Sequence, residues 1–313
     1  MLGKTANGLF WMARYLERAE NTARLIETGQ RIALTRLSAT DAEWRPVLQS
    51  AGVLDGYMAK HKTLTTDHAI DWLLRDIDNP SSVRACIEAA RQNARLVRTA
   101  ITGDVWEATN SSYMSATKQL QHKVSERDLP GVLRHLRGGA ALVRGATLGT
   151  MLRNEIYDFL RLGTFLERSD NTARILDVKY YVLLPSPASV GTSLDNVQWE
   201  SILRSLSARG GIRMEYGNAV GPREIAEFLI LDERMPRSLR FCANKICEYT
   251  DYLTRDRDDH CASDGMAREL RDVTLNKPIA AVFDEGLHEF LQGIQSQMVA
   301  LTRQVEIDFR FYE

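Results

Sequence analysis

Ten residues could carry the chemistry of this chain, and they fall into two matched sets. Glu17, Arg18, Glu20, Asn21 and Arg24 sit in Leu16-Glu17-Arg18-Ala19-Glu20-Asn21-Thr22-Ala23-Arg24. Glu167, Arg168, Asp170, Asn171 and Arg174 sit in Leu166-Glu167-Arg168-Ser169-Asp170-Asn171-Thr172-Ala173-Arg174. Seven of the nine positions are identical, and the others exchange Ala for Ser and Glu for Asp. Carboxylates and arginines at this spacing support several chemistries. They can form a buried polar network that fixes the register of two helices. They can grip a ligand, because arginine holds a carboxylate or phosphate by two bonds and two acids beside an asparagine hold an amine. They can do acid–base work, with Glu17 and Glu167 as the catalytic candidates and Arg24 and Arg174 clamping a substrate carboxylate. Burial against apolar helices would raise such a glutamate into a useful pKa range. The Glu17-x-x-Glu20 and Glu167-x-x-Asp170 pairs also have the spacing of helical di-metal sites. Those sites add histidine at i+3, and none of the six histidines falls near either motif, so no metal and no cofactor are expected.

The elements that position these residues are helical. From Thr5 to Leu37 the chain has no proline, and Trp11, Met12, Tyr15, Ala19, Ala23 and Ile26 repeat at a helical period. Glu17, Glu20, Asn21 and Arg24 form one polar stripe opposite them. Arg18 lies about a quarter turn away, so it must pair with a carboxylate on another helix, whereas Glu20 and Arg24 suit an i,i+4 ion pair. Thr40-Asp41-Ala42-Glu43 reads as a helix start for a short helix carrying Trp44, Val47 and Leu48. Further helices are predicted over 65–75, 81–101, 104–124 and from Asp128 to Gly145 or Gly149. A second long helix carries Tyr157, Phe159, Leu160 and the second motif to Leu184, where Pro185-Ser186-Pro187 ends it. A last helix is predicted from Pro278 to Phe309.

The motif is not alone in recurring. Trp199-Glu200-Ser201-Ile202-Leu203 answers Trp44-Arg45-Pro46-Val47-Leu48, and Met235-Pro236-Arg237-Ser238-Leu239-Arg240-Phe241-Cys242 answers Asn79-Pro80-Ser81-Ser82-Val83-Arg84-Ala85-Cys86. The matches keep one order, so the expected fold is all-α. It consists of two tandem homologous helical-bundle halves, residues 1–146 and 147–313, related by a pseudo-twofold axis and forming one compact unit.

Composition excludes several classes. The formal net charge of -1 is unlike that of a dedicated nucleic-acid binder, so no nucleic acid is expected as partner. The local basic group Arg134, His135, Arg137, Arg144 and Arg153 reads as a solvated helix face rather than a phosphate site. No apolar run is long enough to span a membrane, and no leader pattern opens the chain, so no membrane association is expected. Cys86, Cys242, Cys247 and Cys261 form no C-x-x-C pair and read as reduced structural thiols of a cytoplasmic protein. No G-x-S-x-G or phosphate-loop pattern occurs.

The stretch Tyr15-Leu16-Glu17-Arg18-Ala19-Glu20-Asn21-Thr22-Ala23-Arg24 resembles the signature of the bacterial Alpha-E family, an all-helical domain named for its Glu-Arg motif. The opening residues from Leu2 to Tyr15 are similar as well. So are Asp78-Asn79-Pro80-Ser81-Ser82 and Gly149-Thr150-Met151-Leu152 leading to Phe165-Leu166-Glu167-Arg168. The resemblance implies a partner: an ATP-grasp amidoligase-like protein encoded beside or fused to the domain, often near a transglutaminase-like protease and a proteasome-like peptidase. That setting makes or cleaves peptide-type amide bonds. Two functions follow as expectations. One is an accessory, scaffold or substrate-binding protein for that partner, or a purely structural interaction protein. The other is a pathway enzyme using the Glu/Arg stripe for acid–base chemistry.

Overall fold

The computed structural model of the chain describes residues 1–33, 44–183, 193–217, 220–255, 257 and 261–312. Among these residues the fold is all-helical, with no strand. The first half runs α1 (Gly3–Ala33), α2 (Trp44–Ser50), α3 (Leu54–Lys60), α4 (Thr66–Leu74), α5 (Val83–Leu96), α6 (Gly103–Gln119) and α7 (Leu129–Thr150). The second runs α8 (Glu155–Leu183), α9 (Ser193–Ser205), α10 (Arg209–Tyr216), α11 (Pro222–Ile230), α12 (Leu239–Thr254), α13 (Ala262–Glu269), a π turn over Leu270–Thr274, α14 (Ile279–Glu285) and α15 (Leu287–Asp308). The helix start read at Thr40–Glu43 and the stop at Pro185–Pro187 lie outside the described residues.

Two long helices, α1 and α8, cross at the centre, and everything else is layered on them. α5 and α7 pack on α1, while α12 and α15 pack on α8. The crossing is close. A β-carbon on Gly163 of α8 would stand 2.4 Å from the Phe10 carbonyl oxygen of α1, so only glycine lets these backbones meet. The polar stripe of α1 does not face solvent. Glu17, Glu20, Asn21 and Arg24 are as buried as Met12, Ala19, Ala23 and Ile26 on the apolar side. A helix wrapped on both sides must bury its polar stripe and then satisfy it.

Local signals place the flanking helices. Ser82 caps α5 by accepting from the Ala85 amide (3.2 Å), and Ser238 caps α12 by accepting from the Phe241 amide (3.0 Å). The same turn is braced in the first half by Asn79, whose side chain donates to the Trp72 carbonyl and accepts from the Ser81 amide. The last predicted helix is in fact two. Gly286, with φ of 99°, interrupts it, and α15 starts afresh at Leu287. The short helices α3, α10 and α13 carry too few apolar repeats to be read from sequence.

Candidate functional site

The two motifs meet face to face at the crossing of α1 and α8. Arg18 donates to Glu167 from Nε (2.6 Å) and Nη2 (2.9 Å). In return, Arg168 donates to Glu17 from Nε (2.9 Å) and Nη2 (3.0 Å). Each Glu-Arg dipeptide therefore supplies the acid of one two-bonded pair and the base of the other. Arg18 finds its carboxylate on another helix, as its place on the wheel requires. Arg24 pairs with Glu20 on its own helix (2.6 Å), as Arg174 does with Asp170 (2.8 Å).

A second ring of contacts repeats the pattern. Arg24 donates to the Ser205 carbonyl (2.7 Å) and Arg174 to the Ser50 carbonyl (3.1 Å). The Thr22 hydroxyl donates to the Ser81 carbonyl (3.3 Å), and that of Thr172 to the Arg237 carbonyl (2.8 Å). Cys86 and Cys242, both buried, donate to the carbonyls of Pro80 and Pro236. Burial pushes each of those two thiols up to about 12, so neither is a nucleophile at neutral pH.

Sequence reasoning missed three arginines that complete the network. Arg237 of the α11–α12 turn donates to Glu17 (3.1 Å) and Asn21 Oδ1 (3.1 Å) from Nη1, and to Glu20 (2.8 Å) from Nη2. Arg14 donates to Glu167 (2.8 Å) and the Thr302 hydroxyl (2.6 Å). Arg144 of α7 reaches Glu20, with Glu17 also near at 3.9 Å. The reading of the basic group as a solvated face fails at two positions: Arg144 turns inward, and Arg137 pairs with Glu27 at 2.8 Å. Arg134 and Arg153 keep the exposed face. The signal for Arg237 was present in the match of Pro236-Arg237-Ser238 to Pro80-Ser81-Ser82, where the only non-identical residue is the arginine.

The electrostatics reverse the expected direction of the glutamate shifts. Burial alone would raise Glu17, but Arg168 and Arg237 outweigh it and hold the carboxyl far below its usual range. Glu167 is held at about 2 by Arg18 and Arg14 against the same burial. Glu20 is lowered too, with Arg237, Arg144 and Arg24 overcoming burial and the neighbouring Glu17. All six oxygens of Glu17, Glu20 and Glu167 face guanidinium groups, which leaves none to take a proton from a substrate or a place in a metal shell. Among the described residues no group of three or more His, Cys, Asp or Glu gathers as a metal site.

Besides a gap of about 40 Å³ at Glu17 and Arg144, two larger spaces lie along the helices that carry this frame. One is a cavity of about 210 Å³ beside the second motif, lined by Arg18, Asn21, Glu167, Asp170, Asn171 and Arg174 among others. Three buried polar atoms in that lining have no hydrogen-bond partner: Asn21 Nδ2, Asn171 Nδ2 and Asp170 Oδ1. The other is a cleft of about 830 Å³ at the start of α8, walled by Asp158, Tyr157, Tyr249, Tyr252 and Arg153. Asp158 is pushed up to about 6 by burial and by Glu248 and Glu155. Nothing in the local sequence marks it, because the acids that perturb it come partly from α12.

Two comparisons match this chain to known proteins. It is 24% identical to an uncharacterized protein of Mycobacterium bovis and to one of Mycobacterium tuberculosis strain CDC 1551, over 98% of its own length. It spans only about a third of those relatives, 36% of each. No solved structure matches. Over residues 1–309 the sequence fits a family described as "a predicted alpha-helical domain with a conserved ER motif", the motif that here places Glu17-Arg18 against Glu167-Arg168, and the chain belongs to that family, Alpha-E.

Proposed function

We propose that the protein is a non-catalytic binding scaffold built from two homologous halves, residues 1–146 and 147–313, joined about a pseudo-twofold axis. The observation that carries this is the reciprocity of the Glu17:Arg168 and Arg18:Glu167 pairs, which exchange roles between α1 and α8. The paired contacts of Thr22 with Thr172 and of Arg24 with Arg174 support the same correspondence. A glutamate held ionised by two or three arginines fixes a structure and does not shuttle protons.

On this reading the scaffold works with an ATP-grasp amidoligase-like protein, and through it with a transglutaminase-like protease, in a cytoplasmic system that makes or cleaves peptide-type amide bonds. The partner is the one implied by the resemblance of the two Glu-Arg stretches to the family signature. In the mycobacterial relatives the matching region is joined to further sequence, which supports a role beside another functional unit. Cys86, Cys242 and Cys247, buried thiols outside any disulfide, support a reducing compartment. No helix among the described residues is long and apolar enough to cross a membrane. The test is co-purification with an ATP-grasp amidoligase-like protein of the same organism. A stable complex in both pull-down and crosslinking is expected, and failure in both overturns the partnership.

One observation favours a second reading, in which the protein is an enzyme of the same pathway. Asp158, raised to about 6 in an open cleft, is then its proton-transfer group in place of Glu17 and Glu167. An Asp158→Asn protein that folds but abolishes the pathway's product would establish it.

A further inference from the structure

The two motif sites differ most at one place, which Arg237 fills in the first and Ser81 leaves open in the second. Position for position, Glu17, Glu20 and Asn21 correspond to Glu167, Asp170 and Asn171, and Arg24 to Arg174. The surrounding backbone corresponds as well. Ser205 and Ser50 offer their carbonyls to the paired arginines, and Ser207 and Gly52, two residues on, both have positive φ, 55° and 69°. The carbonyls of Arg237 and Ser81 accept from Thr172 and Thr22, so these two residues occupy the same place in their turns. In the first site the Arg237 guanidinium fills the space with three bonds, to Glu17, Asn21 and Glu20. In the second site Ser81 stands where Arg237 would be, and the cavity of about 210 Å³ is what remains.

We propose that this cavity is a binding site for a guanidinium cation, which takes the place that Arg237 fills in the other half. It rests on the correspondence of the halves proposed above but not on the amidoligase-like partner. Three observations support it beyond the shape. Asp170 Oδ1 is buried and unpartnered, where its counterpart Glu20 receives Arg237. Asn171, 5% exposed, stands where Asn21 receives Arg237 on its Oδ1; its amide nitrogen is unpartnered, as that of Asn21 is in the filled site, so an amide oriented like that of Asn21 presents its oxygen to a donor. The charges also match once a cation is added. Glu17 and Glu20 are surrounded by four arginines (24, 144, 168 and 237), and Glu167 and Asp170 by three (14, 18 and 174). Aspartate in place of glutamate shortens one wall by a methylene and leaves room for the planar group with water beside it. Access is from solvent past exposed Gly52 and the partly exposed side chains of Arg18 and Arg174.

The source is either a small free guanidinium compound or the arginine side chain of a peptide. The test is a titration of the full chain with methylguanidinium chloride and with an N-acetyl-arginine amide at millimolar concentration and constant ionic strength, read by calorimetry and thermal shift. Saturable one-to-one binding of both is expected, with methylammonium at least about tenfold weaker for want of the planar set of donors. Tighter binding of the arginine amide assigns the source to a peptide, and equal binding to a free compound. Ser81→Arg is expected to raise the melting temperature and abolish binding. Arg237→Ser is expected to open a second site and to regain its lost melting temperature in methylguanidinium. If either variant fails to fold, Asp170→Asn serves, with binding weakened at least about tenfold. Absence of saturable binding to the wild-type chain overturns the proposal, as does binding unaffected by Ser81→Arg or by Asp170→Asn. Loss of the amidoligase-like partner in pull-down would leave it standing.

Discussion

Arg18 and Glu167 form a two-bonded contact, 2.6 and 2.9 Å, across the crossing of two helices, beside the inverse pair made by their sequence neighbours Glu17 and Arg168. A Glu-Arg dipeptide cannot pair with itself on one helix, because adjacent residues point about 100° apart. Two copies on neighbouring helices that run the same way, with Phe10 beside Gly163 and Arg14 bonded to Glu167, can pair with each other, and each copy then satisfies both charges of the other. That is a physical reason for the motif to occur twice in one chain.

The depressed carboxyl groups fix the sign of the acid response. Glu17, Glu20 and Glu167 start from 4.5 in the unfolded chain and are lower in the fold, Glu167 at about 2. The unfolded state therefore binds protons first as the pH falls. Their contribution is fully present above about pH 5 and is lost as the pH falls from 4.5 towards 2. Thermal midpoints measured across this window are expected to be level above it and to drop steadily within it. The drop should be shallower in the Glu17→Gln/Glu167→Gln chain.

Asp158 has the opposite sign. Its pKa rises from 3.8 to about 6 on folding, so the folded state holds the proton more tightly. The stability this brings is present below pH 3.8 and is lost as the pH rises through 6. At pH 7 the charged side chain is a cost, and Asp158→Asn is expected to stabilise the fold by on the order of 1–3 kcal/mol. Urea unfolding at pH 7 and at pH 4 checks this, with the gain expected to shrink at the lower pH.

Gly163 sets how closely α1 and α8 approach. Gly163→Ala drives a methyl group against the Phe10 carbonyl and is expected to destabilise by roughly 1–3 kcal/mol. Gly145→Ala, on α7 with nothing within 4 Å of the new β-carbon, is expected to stabilise by about 0.5–1 kcal/mol. Chemical denaturation of the two variants separates close approach from helix propensity.

The sequence showed the helices well and their surroundings poorly. Periodicity located α1, α4, α7 and α8 within a few residues, and the wheel required Arg18 to pair off-helix. Periodicity could not show that the polar stripe of Glu17, Glu20, Asn21 and Arg24 was buried. A stripe facing water and a stripe facing a second copy of itself have the same spacing. Arg144 and Arg237 were missed because each reaches the site from an element distant in the chain, and Arg14, on α1 itself, because its carboxylate lies on α8; such long-range pairing leaves no local pattern. The break at Gly286 was missed because one glycine in a long helical run is common, and only its positive φ marks the end.

Reciprocal pairing couples the two Glu-Arg copies energetically across the crossing. A double-mutant cycle on Arg18→Gln and Glu167→Gln, measured by urea unfolding at pH 7, tests it most directly. Each single variant leaves a buried partner charge exposed to loss and is expected to cost about 3–5 kcal/mol. The double variant is expected to cost less than the sum by about 1–3 kcal/mol. Single losses that add to within about 0.5 kcal/mol would contradict the coupling.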